Sequence, residues 1–190
     1  MTNKSRSRTQ LRALTETAIF VAIAVVLHML RFRLPLPQSG SVSFILVPLV
    51  ILSVRWGLRW GLLGCFAFGI LRGTLLASSF WGWQSLVLDH ILAVAVIGFA
   101  GLFYRKGGTF PVLAVVVAGL LQFTMHWLAG WWIFYEWMPP EFLGMPMTNP
   151  MAYSFVYNAL YMVPSILVSA TIIGVLANPL GKYFRGEDLA

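Results

Sequence analysis

Charged side chains are scarce in this sequence: Asp, Glu, Lys and Arg together make up 10 % of its 190 residues, against about 25 % in a soluble domain. Hydrophobic residues make up 59 % and mean hydropathy is +0.81, which excludes a soluble globular class and implies an integral membrane protein. The one cysteine, Cys65, falls inside an apolar stretch. That excludes a disulfide framework and a thiolate metal site and leaves the thiol as a small apolar filler. No stretch alternates apolar and polar residues over ten positions, so outer-membrane barrel strands are excluded. Helices are then the way to satisfy backbone polar groups in hydrocarbon. No glycine-rich run ends in Gly-Lys-Ser/Thr, and there is neither a His-Glu-x-x-His run nor a pair of glutamates. Soluble domains, low-complexity linkers and repeats are missing as well.

What is present is a series of six apolar stretches, roughly 15–30, 42–54, 58–77, 85–104, 110–132 and 153–176, where a spanning helix takes ~20 residues. The expectation is an all-α integral membrane protein of six transmembrane helices in a single domain. Residues 1–14 form a basic amino-terminal segment, 15–178 the bundle and 179–190 a tail. The net charge of +7 resides in the short connections and is not a nucleic-acid signature. Lys4, Arg6, Arg8, Arg12, Arg55, Arg59, Arg105, Lys106, Lys182 and Arg185 fall on one side of a six-span chain. Arg31, Arg33, Glu136 and Glu141 fall on the other. The excess of Lys and Arg on the first side puts both termini in the cytoplasm. The basic start followed by an apolar run resembles a signal peptide, but no small-residue cleavage site follows it, so it is read as an uncleaved first helix.

Two connections fall on the external face: "RFRLPLPQSGS", residues 31–41, and "YEWMPPEFLGMPMTNP", residues 135–150. Proline and glycine exclude a continuous helix through the second, and its Trp, Phe and Met are unusual in a solvated loop. Such loops either close over one cavity or lend their aromatics to an interfacial belt; Trp81 and Trp83 are read as belt residues.

An Asp or Arg at the centre of a membrane helix costs ~2.5–3.5 kcal/mol on insertion scales, so each ionisable group inside an apolar stretch needs a reason. Arg72, Asp89, His90 and His126 are such groups, and Tyr153 and Asn158 open the last stretch. With ~1.5 Å of rise per residue, Arg72 and Asp89 lie at similar depth on either side of a short external loop. An Arg72–Asp89 ion pair between neighbouring helices is one expectation, and a ligand role for the carboxylate is the other. His126, Gly130 and Phe134 share a helix face by their i, i+4, i+8 spacing, and Gly130 leaves room for a flat ligand against the backbone. Trp127, Trp131, Trp132, Tyr135 and Trp137 stand around them. Alone, His126 reads equally as a core histidine bonded to another helix. Together these groups describe a pocket for a flat, polar, cationic heterocycle. In the first stretch, Ala18 and Ala22 have the small-xxx-small spacing that lets another helix approach, and Glu16 is expected to face headgroups or a partner.

The pieces "LTETAIFVAIA", "VPLVILSVRWGLRWGLLG", "LVLDHILA", "HWLAG" and "AYSFVYN", in this order and spacing, span nearly the whole chain. The sequence resembles the substrate-binding (S) components of energy-coupling factor (ECF) vitamin transporters, most closely their thiamine-specific family. The resemblance implies a non-enzymatic six-helix bundle in the bacterial cytoplasmic membrane. It implies no cofactor, capture of thiamine from outside, and delivery to a membrane scaffold subunit with two ATPase subunits. Ala18 and Ala22 match the family's scaffold-docking motif. His126, Tyr153 and Asn158 match pocket residues and Gly130 a glycine near the ligand. Asp89 stands where the family has glutamate, His90 where it has tyrosine and Phe134 where it has a stacking tryptophan. Phe68 replaces a larger aromatic, the first external loop has no tryptophan, and Arg72 is an added cation. The ligand implied is therefore thiamine or a related small heterocycle, a precursor pyrimidine or another vitamin included. Two other classes are weighed: an intramembrane hydrolase with His90 and His126 on a metal, and a structural subunit in which the polar residues only pair with each other.

Overall fold

The computed structural model describes residues 3–37, 40–76, 82–133 and 135–189. It is helical, with two short hairpins. The elements in order are α1 (Asn3–Met29), β1 (Phe32–Arg33), β2 (Ser41–Val42), α2 (Leu46–Trp56) and α3 (Leu58–Leu71). They continue with α4 (Trp83–Phe103), α5 (Phe110–Ile133), β3 (Glu141–Phe142), β4 (Met145–Pro146), α6 (Pro150–Ala177) and α7 (Gly181–Arg185). Each hairpin is antiparallel, pairing Phe32 with Val42 and Glu141 with Pro146. Among the described residues four helices are long and apolar enough to cross a membrane: Ser7–Met29 within α1, α4, α5 and α6.

The apolar stretch at 42–54 becomes α2, an 11-residue helix buried on nearly every side. A helix apolar all round belongs inside a protein, and α2 is the axis of the core, where Leu46, Leu49, Val50 and Val54 pack with Phe68, Ile97 and Val115. Around it the helices approach to backbone contact. A Cβ on Gly98 would sit 2.6 Å from the Leu62 backbone and one on Gly101 would clash with that of Leu58, so the α3 backbone packs onto α4 where α4 carries no side chain. With lipid as apolar as leucine, such close packing is what holds membrane helices together.

Two segments wind more widely than an α-helix. Arg72–Leu76 continues α3 as a π-helical turn, and Leu86–Leu92 within α4 is π-helical too. Such turns occur often at functional sites, and here they carry Arg72, Asp89 and His90. The start of α6 is set locally: Asn149 caps it, its side chain accepting from the N–H groups of Met151 at 2.9 Å and Ala152 at 3.3 Å, and Pro150 takes the first helical position.

The two ends of the chain meet at one end of the bundle. Arg55, expected in a connection, lies inside α2 and is 0 % exposed. Its guanidinium donates five hydrogen bonds: two to Glu16, at 2.5 and 3.0 Å, two to Asp188, at 2.9 Å each, and one to the Tyr183 carbonyl at 2.7 Å. Glu16 also accepts from Trp56 Nε1 and the Tyr183 hydroxyl, each at 2.8 Å, and Arg12 reaches both Glu16 and Asp188. Glu16 thus turns into the protein instead of toward headgroups or a partner: a fully desolvated guanidinium needs carboxylates within reach. The hydrogen bond from Arg55 holds the Asp188 carboxyl down at about 2.

Candidate functional site

At the other end of α1, about 18 Å along its axis from Glu16 at the ordinary helical rise, the helices enclose a cavity of about 180 Å³. Its lining includes Arg72, Asp89, His90, His126, Gly130, Tyr153 and Asn158, the polar and glycine candidates for ligand binding; Phe134 lies outside the described residues, as does Trp81.

The polar centre is built from α4, α5 and α6. His126 Nδ1 and Asp89 Oδ1 are 3.0 Å apart, with the histidine 5 % exposed. Asp89 Oδ2 lies 3.5 Å from the Ser85 hydroxyl one turn earlier. The expected Arg72–Asp89 ion pair does not form: among the described ion pairs, the partner of Asp89 is His126. Asp89 sits in the π-helical segment of α4 and reaches across to α5. Asn158, 4 % exposed, donates to the Ser154 carbonyl at 2.8 Å, the Ser154 hydroxyl at 3.2 Å and the His126 carbonyl at 3.4 Å. Its side-chain oxygen accepts from the Tyr161 hydroxyl. Ser154 donates to the Trp127 carbonyl at 2.7 Å.

Gly130 lines the cavity, but the atom a side chain there would meet first is Ser154 Oγ, far inside van der Waals distance of any Cβ at this position. The glycine lets α5 and α6 close on each other at the level of Asn158.

The aromatic wall differs from expectation. Trp131 and Trp132 are exposed. Trp127 packs outside the cavity between Phe123 and Phe155, its indole N–H on the Met151 carbonyl at 3.0 Å. Tyrosines form the wall: Tyr153, Tyr157 and Tyr161 stand in file on α6, neighbouring rings 5.8 and 5.9 Å apart. Helix α5 points its tryptophans outward because α6 already covers its inner face. The i, i+4, i+8 spacing of the tyrosines, and of Gln122–His126–Gly130, was the signal that would have found Tyr157, Tyr161 and Gln122, all of them lining residues.

Both external connections reach the site. Phe142, on the second hairpin, is buried against Tyr153 and Tyr157, ring centroids 5.3 and 6.1 Å apart, with Leu36, Met138 and Met147 packed on the same cluster. The Gly40 N–H donates to the Tyr157 hydroxyl at 3.0 Å and that of Ser43 to Ser165 at 3.1 Å. The two loops thus meet over the tyrosines. The first connection and the end of α1 add Arg31, Arg33 and His28 to the lining. Burial, then the positive charges of Arg33 and Arg72, holds the Arg31 guanidinium below its ordinary value. Ala18 and Ala22 lie elsewhere, exposed on the outer face of α1.

Comparison with known proteins gives three findings. The family described as "Thiamine transporter protein (Thia_YuaJ)" matches residues 14–185. The chain is 34 % identical over 183 residues to the thiamine transporter ThiT of Bacillus subtilis (strain 168), covering 88 % of this chain and 91 % of that one. Its fold matches the solved structure of ThiT from Listeria monocytogenes with a TM-score of 0.80, at 20 % identity, over 93 % of this chain and 98 % of the other.

Proposed function

This chain belongs to the thiamine transporter protein family, and from that membership we propose that it binds thiamine from outside the cell and hands it, as the S component, to an ATP-driven ECF transporter. The observation that carries the reading is the single cavity gathering Asp89, His126, Asn158 and the tyrosine file. The tyrosine faces suit an aromatic heterocycle, with cation–π contacts contributing ~0.5–2 kcal/mol each. Asp89 attracts the thiazolium charge, and His126, Asn158 and Tyr153 supply hydrogen bonds to the pyrimidine. Gly130 keeps α5 and α6 close enough for these groups to converge, and His90 and Arg72 border the same space. Phe134 belongs to this proposed set by its spacing from Gly130.

The wider assignment follows from the same membership. Six spans in the bacterial cytoplasmic membrane, α2 and α3 included, put both termini in the cytoplasm. The meeting of Arg12 with Asp188 supports that, since it requires both ends on one side. Ala18 and Ala22 offer a small-residue face to the scaffold subunit, and the partner ATPases supply the energy. The protein is a binding subunit rather than an enzyme. The other ligand class is a related small heterocycle, favoured by Arg72 at the cavity wall.

Calorimetric titration of the purified full chain with thiamine tests the assignment. The expected result is saturable one-to-one binding, weakened in Asp89→Asn and Asn158→Ala. A flat thermogram with folded protein overturns it.

A further inference from the structure

The charge of the cavity is lopsided in a way that capture of a plain cation does not use. Three guanidiniums line it, those of Arg31, Arg33 and Arg72, against the one carboxylate of Asp89, and His126 already engages that carboxylate. None of the three arginines is in an ion pair among the described residues; Arg31 donates to the His28 carbonyl at 2.8 Å. The Nε of Arg72 is buried with no hydrogen-bond partner, and so is the Nδ1 of His90. His90 packs against the turn that carries Arg72, since a Cβ on Gly73, the next residue, would lie 3.0 Å from that of His90.

A buried guanidinium N–H left without an acceptor is costly, and the like charges gathered on one cavity repel each other. An arrangement of this kind persists where a ligand supplies the missing negative charge. The cations also come from different elements than the carboxylate. They come from the end of α1, the strand after it and the turn after α3. The carboxylate, amide and tyrosines come from α4, α5 and α6. One side of the cavity suits a cationic heteroaromatic ring and the other an oxyanion.

We propose that the α1–α3 side of the cavity is an anion subsite, and that the preferred ligand is a phosphate monoester of the heterocycle, with Arg72 as the specificity-determining residue and Arg31 as a second donor. This rests on the thiamine reading of the same cavity. A guanidinium fork matches phosphate oxygens two at a time, which an ammonium cannot do. Arg72 and Arg31 donate to the ester, and the ring keeps its place against the tyrosines.

The test compares thiamine with thiamine monophosphate on the full chain in detergent, by calorimetry, for the wild type, Arg72→Gln and Arg31→Gln. The expected result is tighter binding of the ester by roughly tenfold or more, as charged hydrogen bonds would give. Arg72→Gln should shrink that preference toward unity, and Arg31→Gln should reduce it. The wild-type ratio decides even where a variant fails to fold. Equal or weaker binding of the ester, or a preference untouched by a folded Arg72→Gln, overturns the anion subsite while leaving thiamine capture standing. Binding of neither compound overturns both.

Discussion

Asp89 and His126 face each other across α4 and α5, carboxylate to imidazole at 3.0 Å, on the wall of a cavity both line. Asp89→Asn keeps the shape and removes the charge, so it discards a charge-assisted hydrogen bond and the counter-charge for a cationic ring. Affinity for thiamine should fall by about 1.5–3 kcal/mol, roughly ten- to hundredfold. Titration calorimetry reads it, and unchanged affinity would show that Asp89 only orients His126.

Tyr161 donates its hydroxyl hydrogen bond to the Asn158 side-chain oxygen, which leaves the Asn158 NH2 group to bridge α5 and α6. Tyr161→Phe keeps the ring and drops that bond. A cost near 1 kcal/mol is the ordinary net value of a hydrogen bond, so thiamine should bind about fivefold more weakly. Phe and wild type binding equally would place Tyr161 in the wall by its ring alone.

Gly130→Ala forces a methyl group far inside van der Waals distance of Ser154 Oγ. Overpacking of this kind costs about 1–3 kcal/mol, and the detergent-solubilised variant should melt at lower temperature. Adding Ser154→Ala removes the clashing hydroxyl and should recover part of the loss. A Gly130→Ala protein as stable as wild type would mean that α5 and α6 are not closely packed there.

Glu16→Gln leaves Arg55 buried with one of its two carboxylates gone. Breaking a buried ion pair from one side costs about 3–5 kcal/mol, so this variant should be among the least stable, more so than Arg185→Gln, whose partner Glu187 is exposed. Thermal unfolding of the two variants side by side checks the ranking.

Acid should loosen the same network. The Asp188 carboxyl is lowered from 3.8 to about 2, first by its hydrogen bond from Arg55. A carboxyl depressed on folding adds stability that is complete above the unfolded value and is lost as pH falls through the folded one. The contribution of Asp188 therefore fades between about pH 4 and pH 2. Asp188→Asn should be less stable than wild type at pH 6, with the difference closing toward pH 2.

Much of the site was legible in the chain because membranes make polar residues conspicuous. Asp89, His126 and Asn158 stood out in apolar stretches, and all three reached one cavity. Trp131 and Trp132 also stood out, but a tryptophan is at home both in a pocket and at a membrane surface, so its type did not reveal which way it faced. Glu16 and Arg55 were misread because 39 positions separate them. Nothing local to either says that α1 and α2 bring them within 2.5 Å.

By itself, then, the sequence determined a helical membrane protein and several of the polar groups that line its cavity, because hydrocarbon penalises every unpaired polar atom and leaves few places to put one. Only the tertiary structure decided who pairs with whom. It gave Asp89 to His126 rather than Arg72, buried Arg55 between the two ends of the chain, and turned tyrosines inward and tryptophans outward. Those choices depend on helix rotation and on the wide π-helical turns, which follow from packing against neighbours and leave no mark in the order of residues.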